Sequence, residues 1–223
     1  MAIWEILKIA PQKRSKDRVN IVFSDFTLGA SLFLVLRYGL TVGQKLSLKE
    51  LTQFWQDEIK ERIRAKALRL LSCRPRTLAE MKQRLFEYLK KSEPTLKKAP
   101  AFLQLKTGKI IEKIIKDLKD ESLLSDLNFA RWWVEQRFVF RPRSVLELKG
   151  ELARRGVSRN LIDRALAESD YDEEQMAKSL LEKKLKTLAD IKEKRKKLIS
   201  YLARKGFSYK LIKSLIDERG ILA

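Results

Sequence analysis

The sequence predicts a mainly helical protein, built of tandem, degenerate three-helix repeats in an elongated row, behind a small N-terminal β-hairpin or sheet segment with short helices. Three observations predict it. Only 8 glycines and 5 prolines occur in 223 residues, too few for the closely spaced turns of an all-β sandwich. From about residue 58 onward, apolar residues recur at three- and four-residue steps, the period of amphipathic helices. Two short patterns then return further along the chain, each at a helix boundary.

The N-terminal segment, residues 1–57, is unlike the rest. Residues 3–9 read as a strand. Val19, Ile21 and Phe23 alternate with their neighbours, Ser24-Asp25 is a turn signal, and residues 26–28 read as a returning strand. A sheet of two or three strands is expected. Ser31 is placed to cap a short helix carrying Leu32, Val35, Leu36 and Tyr38, which Gly39 ends. Ser47-Leu48-Lys49-Glu50 has capping-box spacing and opens a helix with Leu51, Phe54 and Trp55 on it.

The repeats follow. The first is expected over 58–124. Ile63, Ala67, Leu70 and Leu71 share one helix face, Thr77-Leu78-Ala79-Glu80 is a capping box leading to Met81, Leu85 and Tyr88, and Ile111, Ile114, Ile115 and Leu118 mark a third helix. Residues 90–108, with Pro94 and Pro100, read as an inserted loop. The second repeat is expected over 125–169. Ser125 or Asp126 caps a helix with Phe129, Ala130, Trp133, Val134 and Phe138. Arg141-Pro142-Arg143-Ser144 then repeats Arg74-Pro75-Arg76-Thr77, with Glu147 answering Glu80. The proline stops the preceding helix, the hydroxyl caps the next, and the Glu is placed to complete the box. The third repeat is expected over 170–223. Leu202-Ala203-Arg204-Lys205-Gly206-Phe207-Ser208 repeats Leu152-Ala153-Arg154-Arg155-Gly156-Val157-Ser158, in each case a helix ending in two cations and a glycine, then a Ser that caps a further helix. One such unit is too small to bury its apolar faces alone, so neighbours should stack.

Composition narrows the chemistry. With 49 Lys and Arg against 29 Asp and Glu, the net charge is +20, and such a field draws in polyanions. A merely solvated basic surface is the plainer alternative; nucleic acid, or a complex containing it, is the expected partner. There is no histidine and one cysteine, Cys73. Zinc needs about four Cys or His ligands, and His-based triads and acid–base schemes have no residue to use. No cofactor, metal or catalytic residue is expected. Cys73 sits at a helix end and reads as an ordinary buried or half-buried thiol; no disulfide can form within the chain. The longest apolar run, residues 32–36, is far short of the roughly 20 residues of a membrane span. No signal peptide is recognisable, so a cytoplasmic protein with no membrane partner is expected, as a monomer.

The candidate binding residues are cations at helix ends. Arg74, Arg76, Arg141 and Arg143 stand at helix N-termini, where positive charge is unhelpful to the helix. Partner binding would account for them. Arg154, Arg155, Arg204 and Lys205 stand at C-termini, where complementing the helix dipole explains them, with partner contact as the alternative. The stretch from residue 178 onward is the most basic, 14 Lys and Arg against 5 acids, with Lys192, Lys194, Arg195, Lys196 and Lys197 its densest cluster. It is either a solvated helix face or a phosphate contact. Arg137, four residues beyond Trp133, reads as a stacking or ion-pairing partner inside its repeat. Trp132 and Trp133 read as packing residues, one of them partly exposed.

This ordered set of motifs resembles the RecX family, regulators of the bacterial recombinase RecA. The resemblance runs from Arg18-Val19-Asn20-Ile21 and Gly39-Leu40-x-x-Gly43 at the front, through Ala67-Leu68-Arg69-Leu70-Leu71 and Arg74-Pro75-Arg76-Thr77-x-x-Glu80, to Leu124-Ser125-Asp126 and Phe129-Ala130-x-x-Trp133-x-x-x-Arg137. It continues through Arg141-Pro142-Arg143-Ser144, Glu151-Leu152-x-x-x-Gly156-Val157-Ser158 and Ile162-x-x-Ala165-Leu166 to the segment Tyr201-Leu202-Ala203-Arg204-Lys205-Gly206-Phe207-Ser208. It departs from the family at 90–108, where a short glycine turn is usual, and in the third repeat, which lacks Arg-Pro-Arg. The resemblance implies a protein that lies in the groove of the RecA–single-stranded DNA filament. There it would inhibit ATP hydrolysis, strand exchange and the coprotease activity that triggers the DNA-damage response. Free DNA is a further partner to be tested. The other class to weigh is a DNA-binding protein acting without RecA through helix-turn-helix-like units. Catalysis is not expected: the acidic run Asp172-Glu173-Glu174 reads as ordinary complementation of a helix N-terminus.

Overall fold

The computed structural model describes residues 3–13, 15–96, 100–103, 107–188 and 194–220. The chain divides into two compact units, one of residues 1–74 and 81–123, the other of residues 75–80 and 124–223.

The first unit opens with strands β1 (Ile3–Glu5), β2 (Lys8–Gln12), β3 (Ser15–Val22) and β4 (Thr27–Ser31), then helix α1 (Leu32–Arg37) and strand β5 (Lys45–Ser47). The expected single strand over 3–9 is two strands in two sheets. β1 pairs antiparallel with β5, while β2, β3 and β4 form an antiparallel meander in that order. Isolated Ile6, fully buried, marks the crossing point: its N–H and C=O bond the 43–44 backbone instead of a strand of the meander. Val19, Ile21, Leu28 and Ala30 alternate inward, as a half-buried sheet requires. The Ser47 capping box is present, with Glu50 N–H donating to Ser47 Oγ and the Glu50 carboxylate accepting from Ser47 N–H. It opens helix α2 (Leu48–Cys73), which runs unbroken through residues 57 and 58. Glu58 on α2 is buried. Its carboxylate accepts from Arg18 at 2.7 Å, Arg62 at 3.1 Å and the Ser31 N–H at 2.8 Å, tying the helix to β3 and to the end of β4.

Helix α3 (Leu78–Leu96) and helix α4 (Thr107–Asp120) complete this unit, with a single 3-10 turn at Ala101–Leu103. Met81, Leu85 and Leu89 of α3 and Ile111, Ile114, Ile115 and Leu118 of α4 are buried, each on one helix face. Of the segment 90–108 expected as a loop, the described residues 90–96 continue α3, 101–103 form the 3-10 turn and 107–108 begin α4. α3 continues through Lys90 and Pro94, since the proline removes only one helical hydrogen bond, in the last turn. Cys73 ends α2, and its thiol is exposed rather than buried or half-buried, with Sγ bonded to Arg69 O at 3.4 Å.

The second unit holds the first turn of α3 and helices α5 (Asp126–Phe140), α6 (Val145–Arg154), α7 (Arg159–Ala167), α8 (Glu173–Leu185), α9 (Lys194–Ala203) and α10 (Tyr209–Glu218). Phe129, Ala130, Val134, Leu152, Val157, Ile162 and Ala165 form the core of α5–α7. Met176, Leu180, Leu181, Leu198, Leu202, Phe207, Ile212 and Ile216 lead that of α8–α10. Tyr171 packs against both cores. Phe138 is not a core residue: it is exposed and meets Tyr171 edge-on. The two helices end at glycine as the sequence reading expects; of the serines that follow, Ser208 accepts from Leu211 N–H and caps α10, whereas the Ser158 side chain makes no cap bond to α7. Gly156 and Gly206 have φ of +84° and +85°, a conformation glycine adopts without the steric cost of a Cβ. The N–H groups of Val157 and Phe207 reach back to Leu152 O and Leu202 O, satisfying carbonyls the helix leaves open.

Candidate nucleic-acid interface

The recurrent motifs meet one another in the second unit, and they do so twice in the same way. At the start of α3, Thr77 is fully buried; its Oγ1 accepts from Glu80 N–H at 3.0 Å and donates to Arg155 O at 2.8 Å. The next N–H, of Leu78, donates to Asp126 Oδ1 at 2.8 Å. Gly156 lies so close that a Cβ on it would be 2.8 Å from Ala79 Cβ. At the start of α6, Ser144 is again fully buried; its Oγ accepts from Glu147 N–H at 3.1 Å and its N–H donates to Lys205 O at 3.2 Å. Val145 N–H donates to Glu173 Oε1 at 2.9 Å, and a Cβ on Gly206 would be 2.4 Å from Ser144 Oγ. Each joint thus seats one helix N-terminus on the glycine end of another helix. A carboxylate from the first turn of a third helix satisfies an N–H that the helix itself leaves open.

This arrangement corrects the capping-box reading at Ser144. The hydroxyl half of each box forms, but the Ser144 N–H goes to Lys205 O rather than to Glu147; the Glu80 carboxylate pairs with Arg76. It also gives the run at 172–174 a structural job: Glu173 caps α6, while Asp172 caps its own helix.

The cations fall into distinct surroundings. Arg74 is half-buried in extended backbone at the end of α2, and Arg76 is half-buried against Glu80. The Arg155 guanidinium meets an aromatic ring. It lies over the Trp133 ring at 3.9 Å, and Arg137 lies 4.4 Å from the same ring. Glu151, which the sequence reading gave no role in binding, organises this group: it accepts from Trp133 Nε1 at 2.8 Å and from Arg137 Nε at 2.7 Å. Burial pushes its carboxyl pKa upward. The bonds from Arg137 and Trp133, with the charges of Arg137 and Arg143, outweigh burial and hold it below its ordinary 4.5. Trp132 and Trp133 are both half-buried in packing around Phe129.

Arg141 is exposed and Arg143 half-buried; the Arg143 backbone is clamped by Tyr171, whose hydroxyl accepts from its N–H and donates to its carbonyl. Lys205 stands beside them, half-buried, 5.7 Å from the Tyr201 ring. Its ammonium is held below the ordinary lysine value, first by burial and then by Arg143 and Arg141. Arg154 and Arg204 are exposed. In the basic stretch, Lys192 lies outside the described residues. Lys194 is half-buried, Lys196 and Lys197 are exposed, and Arg195 pairs with Asp217 at 2.9 Å. The structure therefore brings Arg141, Arg143 and Lys205 together, and Arg137 with Arg155. The Arg137 pairing was readable from its four-residue spacing to Trp133; the meeting of residues 141–143 with residue 205 had no local signal.

Among the described residues, no group of three His, Cys, Asp or Glu side chains is placed to hold a metal ion, and no helix is long and apolar enough to cross a membrane. Helices packed in successive sets of three, with basic residues at their ends, define a mainly helical protein assembled from three-helix domains. Models of the second and third three-helix domains of RecX match residues 125–166 and 172–216. The chain is 28% identical to the regulatory protein RecX of Clostridioides difficile over 96% of its length and 94% of the relative's, and 27% identical to that of Clostridium tetani over 97% and 94%. A crystal structure of a regulatory protein RecX shares its fold, with a TM-score of 0.61, 21% identity, and coverage of 96% of this chain and 99% of that one. The chain belongs to the RecX family, whose members are regulatory proteins and not enzymes.

Proposed function

We propose that this protein binds the RecA–single-stranded DNA filament in the cytoplasm and inhibits the recombinase's ATP hydrolysis, strand exchange and coprotease activity. The near-full-length similarity to RecX regulatory proteins supports the partner. The observation that supports the mode of action is the twice-built joint, in which the backbones of the cationic residues Arg155 and Lys205 hold the start of another helix. A regulator of this kind works by occupancy. Its rows of helix ends set the shape that a filament groove must match, and its net charge of +20 speeds encounter and adds affinity. We assign the repeats to residues 58–124, 125–169 and 170–223, acting as one monomer. Arg74, Arg76, Arg141, Arg143, Arg154, Arg155, Lys192, Lys194, Arg195, Lys196, Lys197, Arg204 and Lys205 are the candidate contacts.

The test compares binding to preformed RecA filaments with binding to the same single strand bare, at two salt concentrations. The proposal expects tighter binding to the filament, retained at the higher salt. Tight, steeply salt-dependent binding to bare DNA with no preference for the filament would favour a DNA-binding protein that acts without RecA.

A further inference from the structure

The two joints differ in what happens to their cations. At the first, Arg76 is paired with Glu80 one helical turn on, and Arg155 is stacked on Trp133 at 3.9 Å. At the second, the same spacing puts Glu147 four residues beyond Arg143, yet no ion pair forms there. The Gly206 backbone is packed against the Glu147 stem, so close that a Cβ would sit 2.6 Å from Glu147 Cγ. Arg143 Nε is buried and has no hydrogen-bond partner. Glu151, which feels the Arg143 charge, is already taken by Arg137 and Trp133. Among the described residues neither Arg141 nor Lys205 makes an ion pair either. Three cations from two repeats thus stand at one joint without an ion pair among the described residues; the carboxylates nearest them, Glu151 and Glu173, are held by Arg137 and Trp133 and by the Val145 N–H.

We propose that this joint is a phosphate site, in which Arg141, Arg143 and Lys205 take one phosphodiester of a single-stranded nucleic acid. Guanidinium forks match phosphate oxygens, and an ammonium adds a point charge beside them. Burial first, and the Arg143 and Arg141 charges second, hold the Lys205 ammonium below its ordinary value, and an entering anion offsets the second of these. A single strand fits better than a duplex or an acidic peptide because Phe140, next to Arg141, is 71% exposed. An exposed aromatic ring beside a phosphate contact is the pattern that binds an unpaired base. That the strand is the one inside a recombinase filament rests on the function proposed above; the site itself does not, since its test needs no recombinase.

The test is fluorescence anisotropy of the full chain on a labelled oligodeoxythymidylate of about 20 nucleotides, across a series of salt concentrations. Lys205→Gln should weaken binding about fivefold near 0.1 M salt and make the salt slope shallower by about 0.7. Arg141→Gln should act in the same sense. Lys210→Gln, which removes the same charge from an exposed position on α10, should stay within about twofold. Because Lys205→Gln removes a repelling charge, it should melt no lower than the parent protein. Equal losses for Lys205→Gln and Lys210→Gln, unchanged binding in Lys205→Gln, or no binding by the parent chain would each overturn the site. A lowered melting temperature in Lys205→Gln would count against an uncompensated cluster there. A chain that fails on bare DNA yet still slows RecA would lose this site and keep the proposed function.

Discussion

The joint at the start of α3 rests on the contact between Gly156 and Ala79, and a double-mutant cycle measures it. Gly156→Ala forces a side chain into φ +84°, which costs about 1 kcal/mol for a residue with a Cβ. It also puts that Cβ 2.8 Å from Ala79 Cβ, roughly 1 Å inside the ordinary carbon–carbon distance. The helix end must retreat. Retreat stretches the Thr77 Oγ1 bond to Arg155 O, now 2.8 Å, which is worth about 1 kcal/mol. The single change should therefore cost ~2–3 kcal/mol. Ala79→Gly removes the atom that is struck, at a cost of up to ~1 kcal/mol for a glycine in the first helical turn. The double variant keeps the backbone strain and loses the collision. It should be more stable than the sum of the singles by ~1–2 kcal/mol, read by urea denaturation. Additivity within ~0.5 kcal/mol would mean that α3 does not seat on Gly156.

Three further outcomes follow from the same geometry. Glu151 has a native carboxyl pKa below its ordinary 4.5; its stabilising effect is complete above that value and is lost as pH falls through the depressed one. The melting temperature of the parent should thus drop more steeply on acidification than that of Glu151→Gln, and parallel curves would contradict the Arg137–Trp133–Glu151 assignment. Glu58→Ala leaves Arg62, only 12% exposed, without its carboxylate, and should destabilise the protein by ~3 kcal/mol in urea titrations; a loss under ~1 kcal/mol would show the pair to be dispensable. Replacing Lys194, Lys196 and Lys197 together by Glu, with Arg195 spared because it holds Asp217, should weaken filament binding at least ~10-fold with helix content unchanged by circular dichroism. Unaltered affinity would remove that stretch from the interface.

The helix ends were legible in the sequence because their signals are local. Gly156 before Ser158, and Gly206 before Ser208, specify a stop and a new start within a few residues. The joints were not legible, because the groups that complete them come from distant chain. Asp126 reaches Leu78 across 48 residues, and Glu173 reaches Val145 across 28. Read locally, Glu173 is one of three acids at a helix start; only packing shows that it serves another helix. The same blindness affected the cations. Arg141 and Arg143 looked misplaced at a helix N-terminus, and they are indeed unpaired among the described residues. Lys205 looked well placed at a C-terminus, yet its backbone carbonyl takes the Ser144 N–H, which sets it beside the segment that carries those two arginines. Proline misled in the other direction: Pro94 suggested a loop, where the helix reaches Leu96. In the head, residues 3–9 carried the pattern of one strand, and only the burial of Ile6 between two sheets explains the break.

The central claim is that the chain regulates RecA by binding its filament. Single-strand-dependent ATP hydrolysis by RecA, with the full protein titrated in, tests it most directly. A fall in the hydrolysis rate that saturates with added protein is the expected result, and hydrolysis unchanged at saturating protein would contradict the account.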